Sequence, residues 1–141
     1  PCEAEAYMRE RYGEEREEQF YDYAALFGAG VTGTICTDLP LFFPSVPDSM
    51  YAACSRQFPD GSPVNGWYRE RGMTRQQLLT AWTLNSARHH GMEEMTGSLE
   101  PGKRADIAVF DRNLLSCPND ELRTSTVVLT LVDGRITHDL L

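Results

Sequence analysis

Asp38 is the residue around which chemistry would gather in this chain. It ends a β-branched run, Val31, Thr32, Thr34, Ile35 and Thr37, and Pro40 follows two residues later. Such residues favour a packed, pleated surface, and proline cannot donate to a ladder. The run therefore predicts a buried strand over residues 30–38 that carries Asp38 to its C-terminal tip. Parallel α/β folds put their reactive side chains at such tips. A cap on a turn or on the next helix uses the same residue type, and the run alone leaves both readings open.

The other reactive side chains are less well placed. Arg56 closes a short helix predicted near residues 48–58. It could bind a substrate carboxylate or neutralise the helix C-terminus, and spacing favours the second. His89 and His90 are adjacent, so on a helix they point roughly 100° apart and cannot chelate one metal as an i, i+4 pair does. They fit an interaction with the C-terminal end of their helix. His138 has no partner spacing. Cys2, Cys36, Cys54 and Cys117 form no C-x-x-C pair, and two of them fall in elements predicted to be buried. A disulfide framework or zinc knuckle is not expected, and a reducing, cytoplasmic compartment is.

The elements that must position these residues can be read in order. Residues 3–27 read as helical with a break at Gly13, and Phe20, Tyr23, Ala24 and Phe27 form one buried face. Glu14, Glu15, Glu17 and Glu18 read as a solvated cluster at the positive end of the helix dipole. Gly28 and Gly30 turn the chain into the 30–38 run. Residues 39–47 hold three prolines and read as a loop over the strand end. A turn cluster over 59–63 and an irregular stretch over 64–72 extend it, and loops this long are commonly lids or binding loops. Thr74 and Gln77 form a T-x-x-Q capping box, with Met73 and Leu78 placed as a hydrophobic staple. The helix they start should run to about His90, with Leu78, Ala81, Trp82 and Asn85 along one face and Gly91 just past its end. Residues 105–110 read as a strand and 114–124 as a loop. Residues 127–132 and 135–138 read as a hairpin about Asp133-Gly134, its first strand apolar on both faces and so expected inside a larger β layer.

Bulk properties narrow the partners. The 141 residues are 41% hydrophobic and 24% charged, which suits one globular domain or the end of a larger one. A net charge of -8 without a basic run argues against nucleic acid and anionic membranes. No run approaches the ~18 apolar residues that cross a bilayer. The first residues, Pro1-Cys2-Glu3, read as a chain cut from something longer.

Four stretches, in this order, resemble the C-terminal third of the metal-dependent amidohydrolases, amidohydrolase family 3 in particular. They are Gly30-Val31 through Thr37-Asp38-Leu39-Pro40; Ser55-Arg56 through Pro59-Asp60-Gly61; Ala81-Trp82-Thr83-Leu84-Asn85-Ser86-Ala87; and Gly97-Ser98-Leu99-Glu100-Pro101-Gly102-Lys103-Arg104-Ala105-Asp106-Ile107. The resemblance implies an α/β fold: the C-terminal fragment of a (β/α)₈, TIM-like barrel joined to strands of a composite β-sandwich. Residues 1–96 would be the last part of the barrel, with strand eight at 30–38 and the closing helix at 74–90, and residues 97–141 would belong to the sandwich. Asp38 matches the strand-eight Asp that ligates metal and deprotonates or orients the attacking water in relatives. Arg56 becomes a candidate for substrate binding.

The implied activity of the full-length protein is hydrolysis of a non-peptide carbon–nitrogen bond, in a small-molecule amide or cyclic amide, with a divalent metal, zinc foremost. The family's H-x-H pair, mid-barrel Lys or Glu and two later histidines have no counterpart here, and His89, His90 and His138 do not replace them. The fragment alone is therefore expected to hold no metal, to be inactive and to self-associate. Thr37 replaces a serine of the family pattern, and Leu39 stands where relatives carry a small or aromatic residue. The alternative is a non-catalytic binding or regulatory module on the same fold, since some relatives are known as exoenzyme regulators.

Overall fold

The computed structural model describes residues 5–38 and 45–141. Helix α4 (Arg75–Trp82) begins as its sequence demands. The Thr74 hydroxyl accepts from the Gln77 N–H at 3.2 Å, and the Gln77 side-chain oxygen accepts from the Thr74 N–H at 2.8 Å. Met73 and Leu78, the two ends of the staple, are both buried in the core.

The helix expected to reach His90 is interrupted at Thr83, whose φ of -104° and ψ of -88° end α4 and start α5 (Leu84–His89). The Thr83 hydroxyl donates to the Leu79 carbonyl at 2.7 Å and the Ser86 hydroxyl to that of Ala81 at 2.8 Å. Hydroxyls bonded back onto helix carbonyls compete with the backbone ladder, which accounts for a break at this Thr and Ser pair. Past α5, Gly91 takes a φ of 66°. Its N–H donates to the Arg88 carbonyl and that of Met92 to the Ala87 carbonyl, the paired bonds of a Schellman end.

The N-terminal part is more broken than its periodicity predicts. It comprises α1 (Glu5–Tyr12), a 3₁₀ helix over Glu14–Gln19 after Gly13, and α2 (Tyr23–Gly28). Asp22 caps α2 by accepting from the Ala25 N–H at 2.9 Å, so a fresh helix starts where a continuous one was expected. Tyr23 and Phe27 pack against the core as the periodicity requires. The buried core itself joins Met50 of α3 (Val46–Ser55), Met73, Leu78 and Ala81 of the α4 region, Leu114, and Leu122 of α6 (Asn119–Leu122). The stretch 114–124, expected as a plain loop, thus contains a helix and two core residues. Arg75 at the start of α4 pins it, donating to the Leu114 and Cys117 carbonyls and to Asn119 at 2.8, 2.6 and 2.6 Å.

The sheet is antiparallel, in the order β1 (Ile107–Phe110), β2 (Val127–Val132), β3 (Arg135–Asp139). Asp133 and Gly134 both have positive φ, 50° and 76°, as the type I′ turn of the hairpin requires. β2 is half-buried along most of its length and β3 is exposed at every position, so the larger β layer expected around the hairpin is not formed among the described residues.

The run at 31–38 is also corrected. It is irregular and makes no ladder, because a strand needs a neighbour and no described residue pairs with it. Val31 is 49% exposed while Ile35 packs against the core. The loop expected at 39–47 lies mostly outside the described residues, as does Cys2.

Candidate functional site

Asp38 stands at the end of the 31–38 run, exposed to solvent, with a left-handed φ of 58° that Asp tolerates better than most residues. The run leaves α2 through Gly30, and its first N–H, from Val31, donates to the Leu26 carbonyl at 3.2 Å. At Gly33 a Cβ would come within 2.8 Å of the Phe27 ring, so the missing side chain lets the backbone lie close to α2. The Asn85 amide of α5 donates to the Gly33 carbonyl at 3.0 Å.

Arg56 faces the interior. It is 2% exposed and ends α3 in the left-handed region, with a φ of 54°. Its guanidinium donates to the carbonyls of Trp67, Tyr21 and Phe20 at 2.5, 2.7 and 3.2 Å and lies 4.6 Å from the Trp67 ring centroid. Asp38 faces solvent and Arg56 does not, so the two do not open onto one solvent-facing site. Arg56 is built into the packing between the N-terminal arm, α3 and the Trp67 stretch.

Glu17 departs from its expected place in a solvated acidic cluster. Glu14, Glu15 and Glu18 are exposed, whereas Glu17 is 6% exposed. Its carboxylate accepts two bonds from Arg9, both 2.6 Å, and one from the Trp67 indole N–H at 2.9 Å. The Arg9 hydrogen bond, then that of Trp67, holds its pKa below the ordinary 4.5. A second latch joins Arg71 to Asp22, whose carboxyl is held low first by the Ala25 N–H and then by Arg71. Both partners of Glu17 come from other elements, so no local pattern announced it.

The remaining candidates do not converge. His89 and His90 are exposed at the end of α5 with rings 5.5 Å apart, and the His138 Nε2 lies 3.0 Å from the Val127 carbonyl. Among the described residues no group of three or more His, Cys, Asp and Glu side chains could hold a metal ion. Asp38 is a single carboxylate, short of the three side chains that a catalytic zinc needs, so the side chains described here do not make a metal centre by themselves. Cys36, Cys54 and Cys117 are free thiols, and burial pushes that of Cys54 up to about 11. A cavity of about 1080 Å³ opens between α4–α5 and β1, lined by Leu79, Trp82, Ile107 and Phe110 among others, and Asp38 does not line it. No helix among the described residues is long and apolar enough to cross a membrane.

Comparison with known proteins gives this geometry its context. The sequence profile of the amidohydrolase family matches residues 1–138. The N-substituted formamide deformylase of Arthrobacter pascens is 30% identical over 128 residues, covering 90% of this chain and 23% of that protein. An imidazolonepropionase of Streptococcus pyogenes serotype M12 (strain MGAS2096) is 28% identical, with 84% and 32% covered. The crystal structure of an amidohydrolase from Thermotoga maritima MSB8 matches with a TM-score of 0.56 and 25% identity, over 84% of this chain and 26% of that one. The chain therefore spans about a quarter to a third of the length of these relatives. Its mixed helix-and-strand architecture is the α/β kind that the solved neighbour shares. With the profile running over nearly its whole length, the Asp38 and Asn85 stretches included, this chain belongs to the amidohydrolase family.

Proposed function

We propose that this chain is the C-terminal part of a hydrolase that cleaves a non-peptide carbon–nitrogen bond in a small amide or cyclic amide. The observation that carries the reading is the match over residues 1–138, and the position of Asp38 at the end of a β-branched run supports it. In the whole protein residues 30–38 serve as strand eight of a barrel, α4 and α5 as its closing helix, and residues 97–141 as strands of a composite sandwich. The β-branched composition of 30–38 and its lack of a ladder partner among the described residues support that assignment.

Asp38 then acts as general base. Its carboxylate takes a proton from the attacking water, a C–O bond forms at the carbonyl carbon, and the C–N bond breaks with the nitrogen leaving protonated. A divalent metal, zinc foremost, belongs to this proposal, with Asp38 as one ligand and the others supplied by the rest of the longer protein. So does a cytoplasmic setting, supported by the free thiols. Because its guanidinium donates to the carbonyls of Trp67, Tyr21 and Phe20, we assign Arg56 a structural role in joining the N-terminal arm to α3 rather than direct contact with substrate.

The test is hydrolysis of an N-substituted formamide and of a cyclic amide by the longer protein, with and without a chelator. Amine release or ring opening that a chelator abolishes and zinc restores is the expected result. Activity indifferent to chelation removes the metal, and absence of turnover on both substrate types favours the non-catalytic module. The 141-residue chain alone should retain no zinc after desalting; elemental analysis finding one zinc per chain would contradict this.

The isolated chain should also self-associate. Among the described residues the backbone of 31–38 has no ladder partner, and β3 presents an open edge with Ile136 61% exposed. Light scattering at micromolar concentration is expected to give a dimer or larger, and a monodisperse 15.9 kDa particle would refute it.

A further inference from the structure

We infer that Tyr21 and Tyr68 are specificity-determining residues, an aromatic pair that receives a flat, apolar substituent of the amide. The inference rests on the reading of residues 30–38 as strand eight of a barrel. Strands of a (β/α)₈ barrel end on one face, and the connections that leave them gather there. α2 leads into 30–38 through Gly28 and Gly30, so residues 13–22, ahead of α2, belong to the connection from strand seven. Residues 45–74, between strand eight and α4, belong to the connection that follows it. Both connections therefore lie on the face where Asp38 stands.

The two connections meet in the structure, and Arg56 makes the joint. Its guanidinium donates to the Phe20 and Tyr21 carbonyls, which belong to the peptides on either side of Tyr21. It also donates to the Trp67 carbonyl, in the peptide that enters Tyr68. One side chain thus holds the two tyrosines next to each other. The Trp67–Glu17 bond and the Arg71–Asp22 ion pair reinforce the joint. None of these bonds uses a backbone group of 30–38, so pairing of that strand on both sides in the longer protein leaves the joint intact.

Backbone conformation singles the tyrosines out. Five non-glycine residues among those described have a left-handed φ: Asp133 in the hairpin turn, and Tyr21, Asp38, Arg56 and Tyr68. Asp tolerates that region, and Arg56 closes α3, where it is common. Values of 55° at Tyr21 and 45° at Tyr68 are costly for a bulky side chain, and a turn alone would be served by Gly or Asn. Such strain persists where its surroundings enforce it, and it gathers at binding sites. Here the Arg56 joint enforces it. Tyr21 is exposed and Tyr68 half-buried, so neither ring is taken up by the core. Each has an aromatic neighbour, Tyr23 with its centroid 6.3 Å from that of Tyr21 and Trp67 5.4 Å from Tyr68. Rings fixed in this way favour a flat apolar group over a small alkyl one.

The test is calorimetric binding of N-phenylformamide and N-methylformamide to the longer protein, with Asp38→Asn in place to stop turnover. The phenyl compound should bind at least about 10-fold more tightly. Tyr21→Asn and Tyr68→Asn, which suit a left-handed backbone, should each weaken it about 3- to 10-fold while changing the methyl compound less than about twofold. Tyr→Phe at either position should keep the preference. In the 141-residue chain both Asn variants should lower the urea midpoint less than Tyr23→Asn does, since the Tyr23 ring packs on the core and theirs are released from strain. Equal affinity for the two compounds, or phenyl binding untouched by both Asn variants, overturns the inference. A midpoint loss as large as that of Tyr23→Asn overturns it too, by showing that the rings serve packing. Binding as expected without chelator-sensitive hydrolysis by the unsubstituted longer protein would instead remove the hydrolase reading and leave the aromatic pair standing.

Discussion

Asp38→Asn in the longer hydrolase should lower kcat by about 10³-fold or more, with KM little changed and the fold intact. In the role proposed for Asp38, removal of a positioned general base costs about 10²–10⁴ in rate, because an amide cannot take the proton that a carboxylate would take. In the 141-residue chain stability should move by no more than about 0.5 kcal/mol, because there the side chain is exposed and a same-shaped polar replacement disturbs no packing. Steady-state kinetics on the variant, alongside its thermal unfolding, separates the two effects. Near-normal turnover would mean that Asp38 is only a structural cap.

The largest effect on stability should come from Glu17. Glu17→Ala strips the Trp67 indole N–H of its acceptor and removes the carboxylate that holds Arg9, at an expected cost of about 2–3 kcal/mol in urea unfolding. Its dependence on pH has a definite sign. The folded-state pKa of Glu17 lies below its ordinary 4.5, so the unfolded chain binds the proton more readily. The contribution is complete above about pH 4.5–5 and is lost as pH falls through the depressed folded value. The wild type should therefore lose stability on acidification more steeply than Glu17→Ala. Parallel slopes below pH 4.5 would show that the carboxylate contributes nothing specific. Because Arg9 is itself partly exposed, the buried indole bond rather than the ion pair should carry most of the difference.

Features closed within a few residues were legible in the sequence. The Thr74–Gln77 box, the Asp133-Gly134 turn and the Gly91 helix end each depend on three to six consecutive residues, and each is found where those residues put it. Features decided across the chain were not. Glu17 looks like its three acidic neighbours until Trp67, fifty positions later, arrives beside it. The break at Thr83 arises from hydroxyls that bond backward instead of outward, a choice residue type alone does not dictate. The 30–38 run has the residue types of a strand, yet a strand is a property of two chains of backbone, and the second is missing among the described residues. Asp38 itself could be picked out only because a β-branched run pointed to it and because the surrounding stretches resemble a family.

The fastening of the N-terminal arm has a consequence for the order of folding. Residues 7–22 bring no fully buried apolar side chain to the core. They are held by Arg56 on two of their carbonyls, by Trp67 on Glu17 and by Arg71 on Asp22. Each of these bonds spans more than thirty residues, and none can form until α3 and the Trp67 stretch are already in place. The arm is therefore expected to dock late as the chain collapses and to lift off early in the native state. Its amides would exchange with solvent through that partial opening, well before α4 and the residues around Met50 and Leu122 let go.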